Sequence, residues 1–429
     1  MSYNTYKMRI ALNRILLSFL LVSSLVAIGF AKPTNLKNDT SMVQKFYAIN
    51  PAPLYWFATD DNIKRAGEWI RAIESSDEYG IVSDQVETLK IRAILASAKP
   101  SSNLLNERTD KQVTGMVLNF IKEMQQGNIK FDYDAISVSR DSVYINLLMN
   151  SMSKEPVSEL VGKMDCKDAD YVVLKKYMHD SIPSKASLKY KTVAIAMNYR
   201  RYFTVNHQSE FILVNIPATE ATYYLNNIPV LKMKTVVGKK TNQTPTIASY
   251  VTSIVTFPNW NVPHEIAVTE ILPKVQKNRN YLKQKDFEVV NAKGKTLDES
   301  KLSWGKYTER NFPYFFRQAT GKGNALGVLK FNLQDPFSIY LHSTNLPSGF
   351  TKNFRFLSHG CVRMEKPFEL ADALLKVKLD REDFDNAKKD TESKTMMLPT
   401  KIPTFIIYMP VTVVGNKVTF LKDVYGLIK

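Results

Sequence analysis

Two histidines and one cysteine lie close together in the last third of the chain. His342 ends an apolar run that is typical of a strand, and residues 343–357 separate it from Ser358-His359-Gly360-Cys361. An imidazole that takes the proton of a thiol makes that thiol a nucleophile, and an adjacent glycine lets backbone N–H groups approach a developing oxyanion. The spacing therefore predicts a nucleophile at Cys361, with a base and an oxyanion site near it.

Spacing alone leaves open which imidazole acts as the base. His359 lies two residues before Cys361, so an extended strand would point both side chains to the same side. Ser343 either orients His342 as a third member of the site or is a solvated loop serine, and a backbone carbonyl could do the same job. His342, His359 and Cys361 are also zinc-ligand types, but they lack the paired spacing of structural zinc motifs, so we expect no metal.

Six further motifs surround this pattern. They are Val237-Gly238, Gln243-Thr244-Pro245, Phe257-Pro258-Asn259-Trp260-Asn261-Val262-Pro263, Ile271-Leu272-Pro273, Arg317-Gln318 and Asn324-Ala325-Leu326-Gly327. With the histidine and cysteine pattern, they resemble the catalytic domain of the L,D-transpeptidases, cysteine acyltransferases that cross-link bacterial peptidoglycan, and most of all its large periplasmic members. The resemblance covers residues 208–387, and it implies that His342 is the base and that no cofactor is needed.

The resemblance also implies which side chains contact substrate: Trp260, Asn261, Arg317, Asn324, Tyr340, Ser358 and Arg363. For Tyr340 a role in the aromatic core is the stronger expectation. Many members of the family carry an asparagine two residues after the cysteine, where this chain has Arg363. That arginine either donates to a carboxylate of the stem peptide or supports the loop.

The expected reaction begins when the Cys361 thiolate attacks the carbonyl of the third residue of a donor tetrapeptide stem. D-alanine leaves, and the side-chain amine of another stem takes the acyl group to form a 3→3 cross-link. If water reaches the thioester instead, the enzyme is an L,D-carboxypeptidase. A non-catalytic wall-binding protein that keeps the fold is a third possibility. The thioester chemistry of the family also suggests that carbapenems acylate Cys361.

The chain has 429 residues and a formal net charge of +17, which favours a polyanionic partner. Its basic residues are scattered and form no clustered stripe of the kind that binds nucleic acid, so we expect no nucleic-acid partner. Peptidoglycan stem peptides carry free carboxylates and match the sign of this charge. The sequence also allows partner proteins of wall synthesis, including one that opens the active site.

The N-terminus carries Lys7, Arg9 and Arg14, followed by an apolar run over residues 15–31. This pattern predicts export to the periplasm, with residues 1–31 acting either as a cleaved signal peptide or as an anchor in the inner membrane. The two cysteines, Cys166 and Cys361, are expected to stay free, because a fold of this size does not need a single disulfide.

Periodicity predicts an α+β fold. A helical scaffold domain over 32–207 precedes a mostly antiparallel β-sandwich catalytic domain over 208–387, with a cap insertion at about 273–316, and strands in 388–429 complete the sheet. Asp60 and Asp61 are predicted to cap one helix, Ser83 the next, and Thr109–Gln126 forms the clearest helix. We expect the interval before the catalytic domain to be too short for an inserted peptidoglycan-binding domain, so wall affinity is expected from the basic surface.

Overall fold

The structure is a computed structural model that describes residues 40–52, 54–97, 103–206, 208–386 and 388–429. The predicted signal or anchor at 1–31 lies outside these residues. Across the described parts of the chain, no helix is long and apolar enough to cross a membrane.

Eight helices form the first half of the described chain: α1 (Thr40–Ile49), α2 (Asp60–Glu74), α3 (Gln85–Ser97), α4 (Glu107–Gln126), α5 (Asp141–Asn150), α6 (Val157–Met164), α7 (Ala169–Ser181) and α8 (Leu188–Val205). Helix α4 lies at the centre of the first core, because its apolar side chains at positions 113, 116, 117, 120, 121 and 124 are all buried. It begins before the predicted Thr109, since Asn106 accepts a hydrogen bond from the Thr109 N–H and caps the helix.

Two other predicted caps differ from the structure. The hydroxyl of Thr59 caps α2, and Asp60 and Asp61 occupy its first turn instead, where their charges favour the helix dipole. At α3 the carboxylate of Asp84, rather than Ser83, accepts the N–H groups of the first turn. Asp84 is one residue closer to the helix than Ser83, so its carboxylate reaches the N–H groups of Val86 and Glu87 directly.

The described residues also contain sixteen strands, numbered in chain order: β1 (Tyr133–Asp134), β2 (Glu210–Asn215), β3 (Glu220–Leu225), β4 (Ile228–Gly238), β5 (Ile247–Thr256), β6 (Trp260–Asn261), β7 (Phe287–Val290), β8 (Thr296–Leu297), β9 (Phe315–Gln318), β10 (Leu329–Leu333), β11 (Tyr340–His342), β12 (Phe356–Ser358), β13 (Val362–Met364), β14 (Lys394–Ile407), β15 (Val411–Val414) and β16 (Lys417–Phe420). Helices preceding a strand-rich domain confirm the α+β class. Four short helices lie among the strands: α9 (residues 264–277, including a π turn at Ala267–Ile271), α10 (Tyr281–Gln284), α11 (Pro367–Leu375) and α12 (Arg381–Asp385).

The main sheet closes on itself through β5. This strand pairs with β10 along one edge and with β14 along the other, and the order from β10 runs through β11, β13, β4, β3 and β2 back to β14. Most pairings are antiparallel, whereas β11–β13 and β14–β2 are parallel. The two layers expected of a sandwich are thus parts of one hydrogen-bonded sheet.

Alternation along the strands separates an inner core from an outer face. Inward side chains from every strand of the closed ring, such as Leu341 and Val362, form one buried cluster with helix α11. On the outer face of β2 and β14, Leu213, Phe405 and Ile407 pack against α7 and α8. The helical region therefore packs against the outer face of the sheet through an apolar interface.

A separate small unit, which we name the cap, spans residues 260–318. Its four strands are ordered β6-β9-β7-β8, and they pack with α9 around a core of their own that includes Phe287, Trp304 and Phe316. The cap is wider than the predicted 273–316 and contains strands that the sequence did not indicate. These strands have two to four residues each, too few for alternation to be visible between lysines.

Candidate active site

The pairing of β11 with β13 brings the predicted catalytic residues to one face. Leu341 lies beside Val362 and His342 lies beside Arg363 in this parallel ladder. Because Leu341 and Val362 are fully buried inside the sheet, the side chains that alternate with them point outward. His342, Arg363 and Cys361, which directly precedes Val362, therefore share the outer face.

A lysine that sequence reasoning missed lies on the same face. Lys330 of β10 is the cross-strand partner of His342, and its neighbours Leu329 and Phe331 are fully buried in the inner core. Its ammonium lies 4.3 Å from the centre of the Tyr340 ring. No local motif marks this lysine, since only the long-range strand pairing brings it to the histidine. The alternation of Lys330 with two apolar residues was the one available signal.

The His342 imidazole is held in its neutral form. Its side chain is 4% exposed, and its Nδ1 atom is buried without a hydrogen-bond partner among the described residues. Burial, reinforced by the positive charges of Arg363 and Lys330, lowers the pKa of His342 to about 3. The imidazole therefore has an available lone pair near neutral pH and can accept a proton.

Cys361 starts as a thiol. Its side chain is partly exposed, and its Sγ atom lies 3.8 Å from the carbonyl oxygen of Ser338. Burial raises the pKa of Cys361, although Tyr340 and the charge of Lys330 act in the opposite direction. A thiol with a raised pKa needs a base to become the nucleophile.

Internal hydrogen bonds fix the loop at residues 358–361. The Ser358 hydroxyl donates to the Cys361 carbonyl at 2.6 Å and accepts the Gly360 N–H at 3.2 Å. Gly360 has φ +121°, a backbone conformation that residues other than glycine rarely adopt. Ser358 is thus a buried support of the loop and differs from the predicted substrate contact, and the Gly360 N–H that was expected to hold the oxyanion is occupied in this state.

The Gln243-Thr244-Pro245 motif, in the connection between β4 and β5, supports the same loop. The Thr244 hydroxyl donates to the Gly360 carbonyl at 2.7 Å and accepts the Gly238 N–H at 2.8 Å. Tyr425, near the C-terminus, donates its hydroxyl to the Gly238 carbonyl at 2.6 Å. These bonds connect the nucleophile's loop to the last described segment of the chain.

Comparisons with known proteins match two parts of the chain. A family model described as the L,D-transpeptidase catalytic domain (YkuD) matches residues 209–403, and one described as a scaffold domain matches residues 41–178. Both matches agree with the order of helices and strands in the structure. The chain carries an L,D-transpeptidase catalytic domain. The scaffold domain lies before it, as the resemblance in the sequence implies.

A Haemophilus influenzae protein named "Putative L,D-transpeptidase" is 32% identical over 240 residues, which is 55% of this chain and 48% of that protein. The chain thus spans about half the length of this curated relative. A solved structure described as "Structure of the Ldtfm-avibactam carbamoyl enzyme" is 12% identical and covers 47% of this chain and 50% of that one, with a TM-score of 0.23. A TM-score that low carries no argument about the fold.

In the transpeptidase domain, His359 turns away from the expected direction. Its Nε2 atom lies 2.5 Å from Glu270 Oε1 of α9 and 3.3 Å from the Lys239 ammonium. The prediction that His359 points to the side of Cys361 assumed an extended strand, but the φ of Gly360 breaks the alternation between them. His359 therefore links the catalytic loop to the cap.

Ser343 also has a different role from the predicted one. Its hydroxyl accepts the N–H groups of Val328 and Leu329 and donates to the Leu326 carbonyl, so it fixes the turn before β10. The backbone carbonyls of Ser343 and Leu326, instead of the hydroxyl, are the groups that favour a protonated His342. Since the buried Nδ1 atom makes no hydrogen bond within the described residues, no side chain or carbonyl is seen to orient the imidazole there.

The predicted substrate contacts divide into two groups. Burial and Cys361 raise the pKa of Tyr340, and Trp260 acts in the opposite direction, so Tyr340 lies beside Cys361 and Trp260 lies beside Tyr340. Arg317 instead pairs with Glu288 at 2.6 Å inside the cap sheet. Asn324 is 1% exposed and donates to the Ala319 carbonyl, so it stabilises a turn. Asn261 is exposed at the edge of the cap.

Both cysteines are free thiols, as expected, and Cys166 is buried in a different core cluster from the one that Cys361 contacts. Within the described ranges, no group of three histidine, cysteine, aspartate or glutamate side chains could hold a metal ion.

Proposed function

We propose that the chain is a peptidoglycan L,D-transpeptidase that works through a thioester on Cys361. Neutral His342 accepts the thiol proton as the sulfur attacks the carbonyl of the third residue of a donor tetrapeptide stem. When the tetrahedral intermediate collapses, the C–N bond breaks, His342 returns the proton to the leaving amine, and D-alanine departs. The acyl group stays on the sulfur as a thioester.

The second half of the proposed reaction reverses these roles. A side-chain amine of another stem attacks the thioester carbonyl and gives its proton to His342, and the C–S bond breaks as the 3→3 amide forms. The thiolate then regains the proton. An imidazolium beside Arg363 and Lys330 is unfavourable, so His342 holds the proton only briefly in each half.

The single observation that carries the proposal is the shared outer face of His342 and Cys361 within a matched transpeptidase domain. The N–H groups at the loop would stabilise the oxyanion once the Gly360 N–H leaves Ser358, and losing one such donor typically costs about 2.7–4 kcal/mol. The basic N-terminus and the apolar run after it support export to the periplasm, by a cleaved signal or an inner-membrane anchor, and the proposed cross-linking reaction would contribute to building the cell wall and to cell shape.

The test uses the full chain, purified in detergent, with disaccharide tetrapeptides and mass spectrometry of the products. Cross-linked dimer with free D-alanine, lost in Cys361→Ala and kept in Cys166→Ala, would establish transpeptidation. Tripeptide alone would assign an L,D-carboxypeptidase instead. If neither product forms, a carbapenem adduct on Cys361 would point to a missing partner protein, and no adduct would point to a wall-binding role.

A further inference from the structure

Two positive side chains flank the base on the outer face. Lys330 is the partner of His342 across β10–β11, and Arg363 is its partner across β11–β13. Neighbouring strands are about 4.8 Å apart, so the three residues form a row across the sheet, and Cys361 lies about 7 Å along the strand of Arg363. Both cations are half-buried within reach of the nucleophile.

Neither cation has a carboxylate partner in the described parts of the chain. The Lys330 ammonium lies over the Tyr340 ring and acts through its charge on Cys361 and His342, and the Arg363 Nε atom is buried without a hydrogen-bond partner. By contrast, Arg317 and Arg381 of the same domain each bind a carboxylate at 2.6 Å. Half-buried cations without partners cost free energy, and their burial lowers the pKa of both Lys330 and Arg363.

The carboxylate whose charge acts on Cys361 is bound through one oxygen only, since Asp335 Oδ2 is buried without a hydrogen-bond partner among the described residues. Asp335 accepts the backbone N–H groups of Phe337 and Ile339 and makes no ion pair with Lys330 or Arg363 within the described chain. The cations are therefore available for an anion that arrives with the substrate. Guanidinium and ammonium groups on one face are a suitable site for a carboxylate.

We infer that Lys330 and Arg363 bind the terminal carboxylate of the residue that leaves the donor stem. This inference rests on the proposed function. Only a nitrogen and a Cα lie between the attacked carbonyl and that carboxylate, so the two groups are within about 4 Å of each other. The pair would thus restrict donors to stems that end one residue beyond the attacked carbonyl, because a longer stem presents a neutral amide there.

The test measures binding, so that it does not depend on turnover. In a Cys361→Ala background, calorimetry compares a donor tetrapeptide with the same peptide carrying a C-terminal amide. We expect the free acid to bind at least about tenfold more tightly, and Lys330→Met or Arg363→Gln to reduce that preference to about threefold or less. Lys401→Met is the matched control, since Lys401 also lies over a tyrosine ring, that of Tyr250, outside the site.

The outcomes separate the inference from the proposed function. A preference for the acid that disappears in the variants supports the inference, even if the active chain forms no cross-link. Equal binding of acid and amide to the unaltered site overturns it. It is also overturned if Lys330→Met weakens binding of both peptides equally and, in the chain that retains Cys361, slows alkylation of that thiol by neutral iodoacetamide, because the cations would then serve the thiolate. Lys330→Arg should restore the preference.

Discussion

The His359 ring and the Glu270 carboxylate are 2.5 Å apart, and this contact joins the loop of the nucleophile to helix α9 of the cap. Lys239 lies 3.8 Å from the same carboxylate, so three charged or polar groups meet between the two units. His359 is two residues from Cys361. A movement of the cap that breaks this contact would therefore act directly on the catalytic loop.

We expect Glu270 and His359 to be energetically coupled. The double-mutant cycle of Glu270→Gln and His359→Gln should give a coupling of about 0.2–1 kcal/mol in thermal unfolding, because the pair is partly exposed. Hydrogen exchange of segments 264–277 and 356–361 should also rise in both single variants. Glu265→Gln, which changes an exposed carboxylate on the same helix, is the control. Additive effects would contradict the link.

The same coupling should depend on pH. Burial opposes the ionisation of Glu270, but the hydrogen bond from His359 and the charges of His359, Lys239 and Lys274 outweigh it and hold the pKa below 4.5. The stability that Glu270 contributes is therefore present above pH 4.5 and is lost as the pH falls through the lower folded value. The difference between wild type and Glu270→Gln should shrink over that range, and a constant difference down to pH 3 would argue against this assignment.

His342 should make the folded chain sensitive to acid. Its pKa falls from 6.5 to about 3 on folding, so the unfolded chain binds the extra proton below pH 6.5. At pH 5 this costs about 2 kcal/mol of stability. His342→Asn should therefore gain stability relative to wild type between pH 8 and pH 5, whatever its effect at pH 8.

Thermal melting at several pH values measures this difference. His264→Asn, which alters an exposed histidine of the cap, is the control. If the melting temperatures of wild type and His342→Asn change in parallel between pH 8 and pH 5, His342 is not held neutral by its surroundings. Activity should likewise show no loss near pH 6.5 that can be assigned to His342.

Gly327 lets the turn before β10 approach Ser343, the residue that follows His342. A Cβ atom there would lie 2.3 Å from the Ser343 hydroxyl and 2.7 Å from the Thr344 nitrogen, and φ is +64°. Gly327→Ala should destabilise the domain by about 1–3 kcal/mol and reduce cross-linking at least about tenfold by displacing His342. Gly305→Ala, in open space within the cap, should change neither the melting temperature nor the product yield.

Long strands of the catalytic domain were predictable because their alternation is local. The sequence pattern predicts strands at 211–216, 221–225 and 230–237, and β2, β3 and β4 agree with these ranges within two residues. The cap strands were not predictable, since packing of Phe287 and Phe316 forms them and no pattern in their sequence does. Tertiary contacts, and not local sequence preference, determine that these segments form strands.

The site shows the same division between local and distant information. Cys361 and His342 were found from residue types and spacing, and they share one face in the structure. Lys330 could not be found, because its place beside His342 depends on strand register across distant segments. The direction of His359 was wrong in the sequence prediction because the φ of Gly360 is set by its surroundings.

Thr244 should matter for catalysis although it touches no substrate in the proposed reaction. Its hydroxyl joins the Gly238 N–H to the Gly360 carbonyl, so Thr244→Val leaves both buried groups without a partner. We expect a loss of about 1–3 kcal/mol in stability and at least about tenfold slower acylation of Cys361, because the loop no longer holds the thiol against Tyr340. Thr244→Ser keeps the hydroxyl and should restore both, which a loss of packing alone would not allow. Acylation is followed by intact mass, with Thr412→Val in β15 as the control for a threonine change on another strand. Normal acylation by Thr244→Val would show that the loop keeps its form without this bond.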